Sequence, residues 1–334
     1  MAYRRSNGKG RRKLEPAAMN LSFTAVGTGT NYIDLSKAAS IVNRRFYRQG
    51  INWSVAGFTV TVTGTTTSPG SVTVCKVPTT WVAYNAWKKS KAMWDRMNDQ
   101  VMDENGDIDG KYADFKVYLD TGHAASTEQT NITAPLDGES LLPTDCAYNK
   151  PSTHGREWNY SNIQIPDTGG SLPPQQFGLK FLGADTVTEK GLITGYAASR
   201  VRPMTNPGEP NVPTDGGWMQ DLFDTGDNFE EIRDQLEAQN DRPPYSVGTL
   251  GTAAEYYPGG STQLSAPEVV GYGTFSTAGG GGSITAQRSI KGGMFPCGLI
   301  AINSALPGIT FYDIIVHLVP GNHRGYLCEP MGDA

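Results

Sequence analysis

Alternation of apolar and polar residues is the clearest signal in this chain. In INWSVAGFTVTVTG (51–64), Phe58, Val60 and Val62 fall on one face and Thr59, Thr61 and Thr63 on the other. A half-buried strand imposes that period of two. TTTSPG supplies turn chemistry and SVTVCKV (71–77) alternates again, so 51–77 predicts a hairpin. Further strands are predicted at 111–119, 157–165, 176–183, 191–201, 297–303 and 309–319. The last, ITFYDIIVHLV, is almost continuously apolar, the pattern of a strand buried on both faces.

A helical period appears once at length. In PTTWVAYNAWKKSKAMWDRMNDQVMD (78–103), Ala83, Trp87, Ser90, Trp94, Met97 and Val101 recur at spacings of three and four. Thr79 or Thr80 can cap this helix. Its stripe reads as a face packed on a sheet, and Lys88, Lys89 and Lys91 read as its solvated side. NFEEIRDQLEAQ (228–239) predicts a second, short helix.

About ten strands without βαβ alternation predict an all-β fold: a single jelly roll, that is an antiparallel β-sandwich, with one long inserted helix and a disordered basic N-terminal arm. The predicted organisation is a basic arm (1–20), a first part of the sandwich (21–202), a surface insertion or projection (203–283), and closing strands with a C-terminal tail (284–334). The insertion is inferred from Pro, Gly and Asp between 203 and 227 and from GGGG at 279–282.

Charge changes this picture at one end. MAYRRSNGKGRRK carries Arg4, Arg5, Lys9, Arg11, Arg12 and Lys13 with no acid before Glu15. The rest of the chain sets 22 basic side chains against 33 acids. An acidic body with a cationic arm points to nucleic acid or another polyanion. Tyr3 is the arm's only aromatic, so phosphate contact outweighs base stacking. Between 215 and 241 nine acids face Arg233 alone. That stretch is expected to point away from a polyanion.

No run of about 18 apolar residues predicts a spanning helix, and no apolar segment follows the basic start, so membrane insertion and a signal peptide are not expected. Cys75, Cys146, Cys297 and Cys328 show no CxxC pairing and read as free thiols.

The sequence carries no G-x-S-x-G, no G-x-x-x-x-G-K-[ST] and no H-E-x-x-H. His123, His154, His317 and His323 are not at metal-ligand spacing, and His317 reads as a structural residue. No catalytic residue and no cofactor are expected. DENGDIDG (103–110) offers a weak structural calcium site. Asp103, Asn105 and Asp107 suit the first three ligand positions of an EF-hand loop, but Ile108 stands where glycine is needed and Asp114 where glutamate is needed. A start at Asn105 uses Asp107 and Asp109 and gains Gly110, but puts Lys116 at the last position. A helix-to-strand turn is the better reading.

PTTWVAYNAWKKSKAMWDRM, the following DFKVYL (114–119) and EWNYSNIQIP (157–166), and the late PCGLI (296–300) together resemble capsid proteins of circular Rep-encoding single-stranded DNA (CRESS-DNA) viruses, of marine and environmental type. The matching positions are Trp81, Asn85, Ala86, Trp87 and Trp94 in the helix and Pro296 to Ile300 in the late strand. The likeness covers much of 78–166 and again 290–320, and 203–280 follows no family pattern. It implies an icosahedral capsid subunit found in the virion, and in the host cytoplasm or nucleus during assembly. Its implied partners are other copies of itself, a single-stranded DNA genome bound by the arm, and a host receptor. Closed shells hold roughly 60 or 180 copies. Sixty arms would bring roughly 360 positive charges against roughly 1,000 phosphates for the coding length of this chain alone, which favours the larger shell or further basic groups inside it. The alternatives are a single-stranded RNA virus capsid, a glycan-binding jelly-roll module, which leaves the arm without a role, and a sandwich hydrolase whose carboxylates meet only in the fold.

Overall fold

The computed structural model describes residues 16–66, 68–104, 113–129, 131, 133–144, 158–165, 175–200, 266–276 and 282–333. The six arm cations, the acidic stretch 215–241, the short helix expected at 228–239, Cys146, His154, Asn105, Asp107 and Asp109 lie outside these residues.

The described chain is an all-β sandwich. Eight strands build it: β1 (Asn20–Val26), β2 (Thr28–Asp34), β3 (Ile51–Thr66), β4 (Gly70–Lys76), β5 (Glu268–Phe275), β6 (Gly282–Pro296), β7 (Leu299–Ala305) and β8 (Phe311–Leu318). One antiparallel sheet has the order β1-β8-β3-β6, and the other β5-β4-β7-β2. Alternation sets the inward face of each strand. Phe23, Phe58, Val60 and Ile314 from the first sheet meet Val72, Val74, Ile300 and Ile302 from the second in one buried core. The threonines of β3 face away from that core, as the alternation predicts.

Four helices accompany the strands among the described residues: α1 (Leu35–Asn43), α2 (Trp81–Glu104), α3 (Thr121–Ala125) and α4 (Leu192–Arg200). The chain leaves the eight-stranded sandwich after β4 and returns at β5, and on the way Glu139–Ser140 pairs with the edge of β2 and Thr127–Glu128 pairs outside it. The described part of this excursion carries α2, α3, α4 and a small sheet of Asn162–Ile165, Gln175–Lys180 and Glu189–Gly191. Its apolar residues cover the outer face of the second sheet. Ala83, Ala86 and Trp87 of α2, with Phe115, Phe181 and Ile193, pack against Tyr32, Cys75, Leu299 and Ala301 in a second buried cluster. Trp87 and Trp94 both contact the Phe115 ring, with centroids 6.0 and 5.7 Å apart. The first part of the stripe, Ala83 and Trp87, is therefore core, with Trp94 half-buried against it. Replacing Trp87 by Ala is expected to cost about 3–5 kcal/mol, read as a lowered melting temperature and denaturant midpoint. An unchanged midpoint would return the stripe to the surface.

Several expectations change. β3 and β4 lie in different sheets, so 51–77 is a crossover between layers and not a hairpin. β8 alternates: Ile314, Val316 and Leu318 are buried and Asp313 is exposed. The doubly covered strand is β7, because the excursion seals its outer side. GLITGYAASRV forms α4, whose buried Leu192, Ile193 and Tyr196 have helical spacing and whose axis packs on α2, with Trp81 edge-on to Tyr196. β5 lies inside the segment assigned to a projection from 203 to 283. Five of its eight positions make up the glycine-spaced VVGYG. Of the strand expected over 111–119, the described part is extended and makes only a single bridge, Tyr118 to Lys180.

PCGLI turns the chain from one sheet to the other. Gly298 N–H bonds back to the Phe295 carbonyl at 3.0 Å. Pro296 presets the first corner and Cys297 takes φ +56° at the second. Gly298 follows at φ +66°, where a Cβ would lie 2.8 Å from Trp53. Among the described cysteines Cys75, Cys297 and Cys328 are free. No described helix is long and apolar enough to cross a membrane.

Candidate nucleic-acid interface

The structure shows where the basic arm leaves the body. Ala18 N–H donates to Asn43 Oδ1 at 2.9 Å, and Tyr326 Oη donates to the Ala18 carbonyl at 2.7 Å. Asn43 Nδ2 donates to Tyr326 Oη at 2.7 Å and closes the triangle. Ala17 sits against Gly325, where φ is +109° and any Cβ would come within 2.6 Å of the alanine methyl. Only glycine meets both conditions. The Leu318 amide bonds to the Met19 carbonyl at 2.8 Å and starts the β1–β8 pairing. The arm is therefore anchored between the C-terminus of α1 and the hairpin of Pro320–Gly321 with Gly325–Tyr326.

Arginines flank the anchoring residues in sequence. Asp34 caps α1 at its N-terminus, and Arg44 ends it in the left-handed conformation, φ 54°. The following loop carries Arg45 and Arg48, and the hairpin carries Arg324 at φ 51°. Arg324 Nη1 donates to the Phe46 carbonyl, and Tyr47 Oη donates to the Arg324 carbonyl at 3.2 Å. Beneath them Tyr47, Trp53 and Tyr326 form a buried aromatic trio with centroids 5.3–5.9 Å apart. Burial pushes the Tyr47 phenol up, while Arg45 and Arg324 pull it down. Arg48 Nη1 reaches the Ala113 carbonyl at 2.6 Å and the Asp114 carboxylate at 3.6 Å. The sequence reading missed this cluster. RRFYR at 44–48 is a visible charge run, but Arg324 joins it only through the fold.

A second polar network lies inside the molecule. The Asp34 carboxylate accepts from the Ser36 and Lys37 amides at 2.9 and 3.1 Å. It also accepts from Gln49 Nε2 at 2.9 Å, Trp158 Nε1 at 3.1 Å and Tyr160 Oη at 3.4 Å. His123 Nδ1 accepts from the Leu119 amide at 3.0 Å. The proton is then on Nε2, which donates to Tyr160 Oη at 3.2 Å. This chain of Asp34, Tyr160 and His123 ties the excursion to the end of β2. Asp34 and His123 are both buried, and the network's chemistry is to fix segments together.

Burial, with Lys37 nearby, lowers the His123 pKa to about 3 from the usual 6.5. A depressed imidazole pKa means the folded state refuses a proton that the unfolded state accepts. The stability from neutral His123 is full above about pH 6.5 and is lost as pH falls toward 3, at about 1.4 kcal/mol per unit. His123→Asn keeps an acceptor for Leu119 N–H and cannot charge. Its denaturant midpoint is expected to fall much less than the wild type's between pH 7 and 4.5. Parallel pH profiles for the two proteins would contradict this.

His317 is satisfied at both ring nitrogens. Nδ1 donates to Asn20 Oδ1 at 2.8 Å and Nε2 meets Thr59 Oγ1 at 2.7 Å. It is a structural residue, as expected. Asp103 lies in the last turn of α2, and no cluster of three His, Cys, Asp or Glu among the described residues could hold a metal ion. Comparisons of the chain with protein-family models, with curated proteins and with solved structures find no match.

Proposed function

We propose that this chain is a viral capsid subunit, that its sandwich is a jelly roll, and that copies of it close into an icosahedral shell around single-stranded DNA held by the arm. The strand pairing carries this reading. β1 pairs with β8, β2 with β7, β3 with β6, and β4 with β5. These nested pairings alternate between the two sheets, and that nesting supports the jelly-roll reading. Two packed sheets, an excursion that covers one of them and a cationic arm would supply the parts of a shell: a rigid wall, contact surfaces and phosphate neutralisation. The choice of DNA and of a CRESS-DNA virus rests on the resemblance around Trp81–Trp94, Asp114–Leu119 and Pro296–Ile300.

The test is protection. Protein assembled with a single-stranded DNA circle is expected to shield the strand from added nuclease. Digestion at the rate of naked strand would overturn the proposal. Protection of single-stranded RNA in preference to DNA of equal length would move the reading to an RNA virus.

A further inference from the structure

We propose that Arg44, Arg45 and Arg324 form a fixed phosphate-binding site on the folded body, taking the backbone of a single strand where it passes the root of the arm. This rests on the arm being the nucleic-acid-binding element.

Placement supports it first. Asn43, which holds Ala18, is the residue before Arg44, and Gly325, which holds Ala17, is the residue after Arg324. An extended chain spans at most about 3.5 Å per residue, so the backbone of Lys13 lies within about 14 Å of the Ala17 anchor and that of Arg11 within about 21 Å. A strand held by the arm therefore passes within reach of Arg44 and Arg324.

Charge supports it second. Among the described residues neither Arg44 nor Arg324 has an acidic partner, and both are exposed. Arg48, on the far side of Phe46, faces Asp114 and is left out of the site for that reason. In a body with an excess of acids, Arg44 and Arg324, without an acidic partner among the described residues, retain their field.

Construction supports it third. Arg44 and Arg324 both sit in left-handed backbone, which few non-glycine residues adopt. The Tyr47–Trp53–Tyr326 trio and the Tyr47 and Phe46 hydrogen bonds hold the two segments in one relative position. Arg324 spends one N–H on Phe46 and keeps the rest of its fork for a ligand. Planar forks of this kind match phosphate oxygens. The arm alone offers six cations, and the site raises each subunit's share to nine.

Salt titration of full-length protein with an oligo-dT of about 30 nucleotides reads the number of phosphates neutralised. For single strands, log affinity falls against log salt with a slope of about −0.7 per phosphate. Wild type is expected near −6, and Arg44→Asn/Arg45→Gln/Arg324→Asn near −4. Asparagine is used because it tolerates left-handed backbone. Arg44→Asn/Arg45→Gln keeps the Arg324–Phe46 bond and is expected near −5, which serves if the triple variant does not fold. Arg44→Lys/Arg45→Lys/Arg324→Lys keeps the charge and is expected to hold the wild-type slope. Neutral variants that keep the wild-type slope would overturn the site, and so would a lysine variant that falls as far as the neutral triple. Wild type that binds without salt dependence would overturn the reading of the arm itself.

Discussion

Protein in which Arg4, Arg5, Lys9, Arg11, Arg12 and Lys13 are all replaced by Ser is expected to keep its fold and lose most of its affinity for single strands. The six residues precede the first anchored position, and the anchoring bonds use the Ala18 backbone, Asn43 and Tyr326, none of which is changed. Six phosphate contacts give a salt slope of about −4, so the intact arm is expected to lose roughly 300-fold in affinity between 50 and 200 mM salt. The serine variant is expected to keep only the shallow slope of the body arginines, about −2. Its melting temperature is expected to match the wild type's. Anisotropy titration at three salt concentrations checks both points. An arm-neutral protein that protects a DNA circle as well as wild type would remove the arm from the mechanism.

Asp34→Ala is expected to leave no soluble folded protein. Asp34 ends β2, caps α1 and receives five donors in a site closed to water. Alanine strips the acceptor from all five at once. Each stranded buried donor costs about 1–3 kcal/mol, so the sum rivals the 5–15 kcal/mol that holds a typical domain together. Burial pushes the Asp34 carboxyl upward, and its hydrogen-bond donors and Lys37 pull it part of the way back. Asp34→Asn keeps one oxygen for the helix cap but turns an amide toward Gln49 and Trp158, and is expected to fold with a lowered melting temperature. Soluble yield and thermal melting of the two variants decide the matter. An alanine variant melting within a few degrees of wild type would mean the network is not what joins the excursion to the sandwich.

β3 and α2 were legible because each buries one face against one partner layer. The alternation of Phe58, Val60 and Val62 and the stripe through Ala83 and Trp87 write that burial directly into the sequence. β8 was read as buried on both faces but alternates, and the strand covered on both sides is β7. An apolar run does not say which of its faces meets the core, and the covering of β7 depends on a segment some 200 residues away. α4 was misread because Leu192, Thr194 and Tyr196 also satisfy a period of two, and its contact with Trp81 of α2 selects the helix. β1 went unread although Leu21, Phe23 and Ala25 alternate with Asn20, Ser22 and Thr24 and are buried. The arm was visible as charge alone. Its anchorage was not, because Asn43, Gly325 and Tyr326 converge only when β8 and the hairpin after it close over the end of α1.

The central claim is that this chain builds a closed shell, and imaging purified protein by electron microscopy tests it most directly. With single-stranded DNA at moderate salt, the account expects uniform closed particles whose averages show icosahedral symmetry and an inner density that disappears when the arm is neutralised. Isolated single subunits at every protein concentration, with and without nucleic acid, would contradict it.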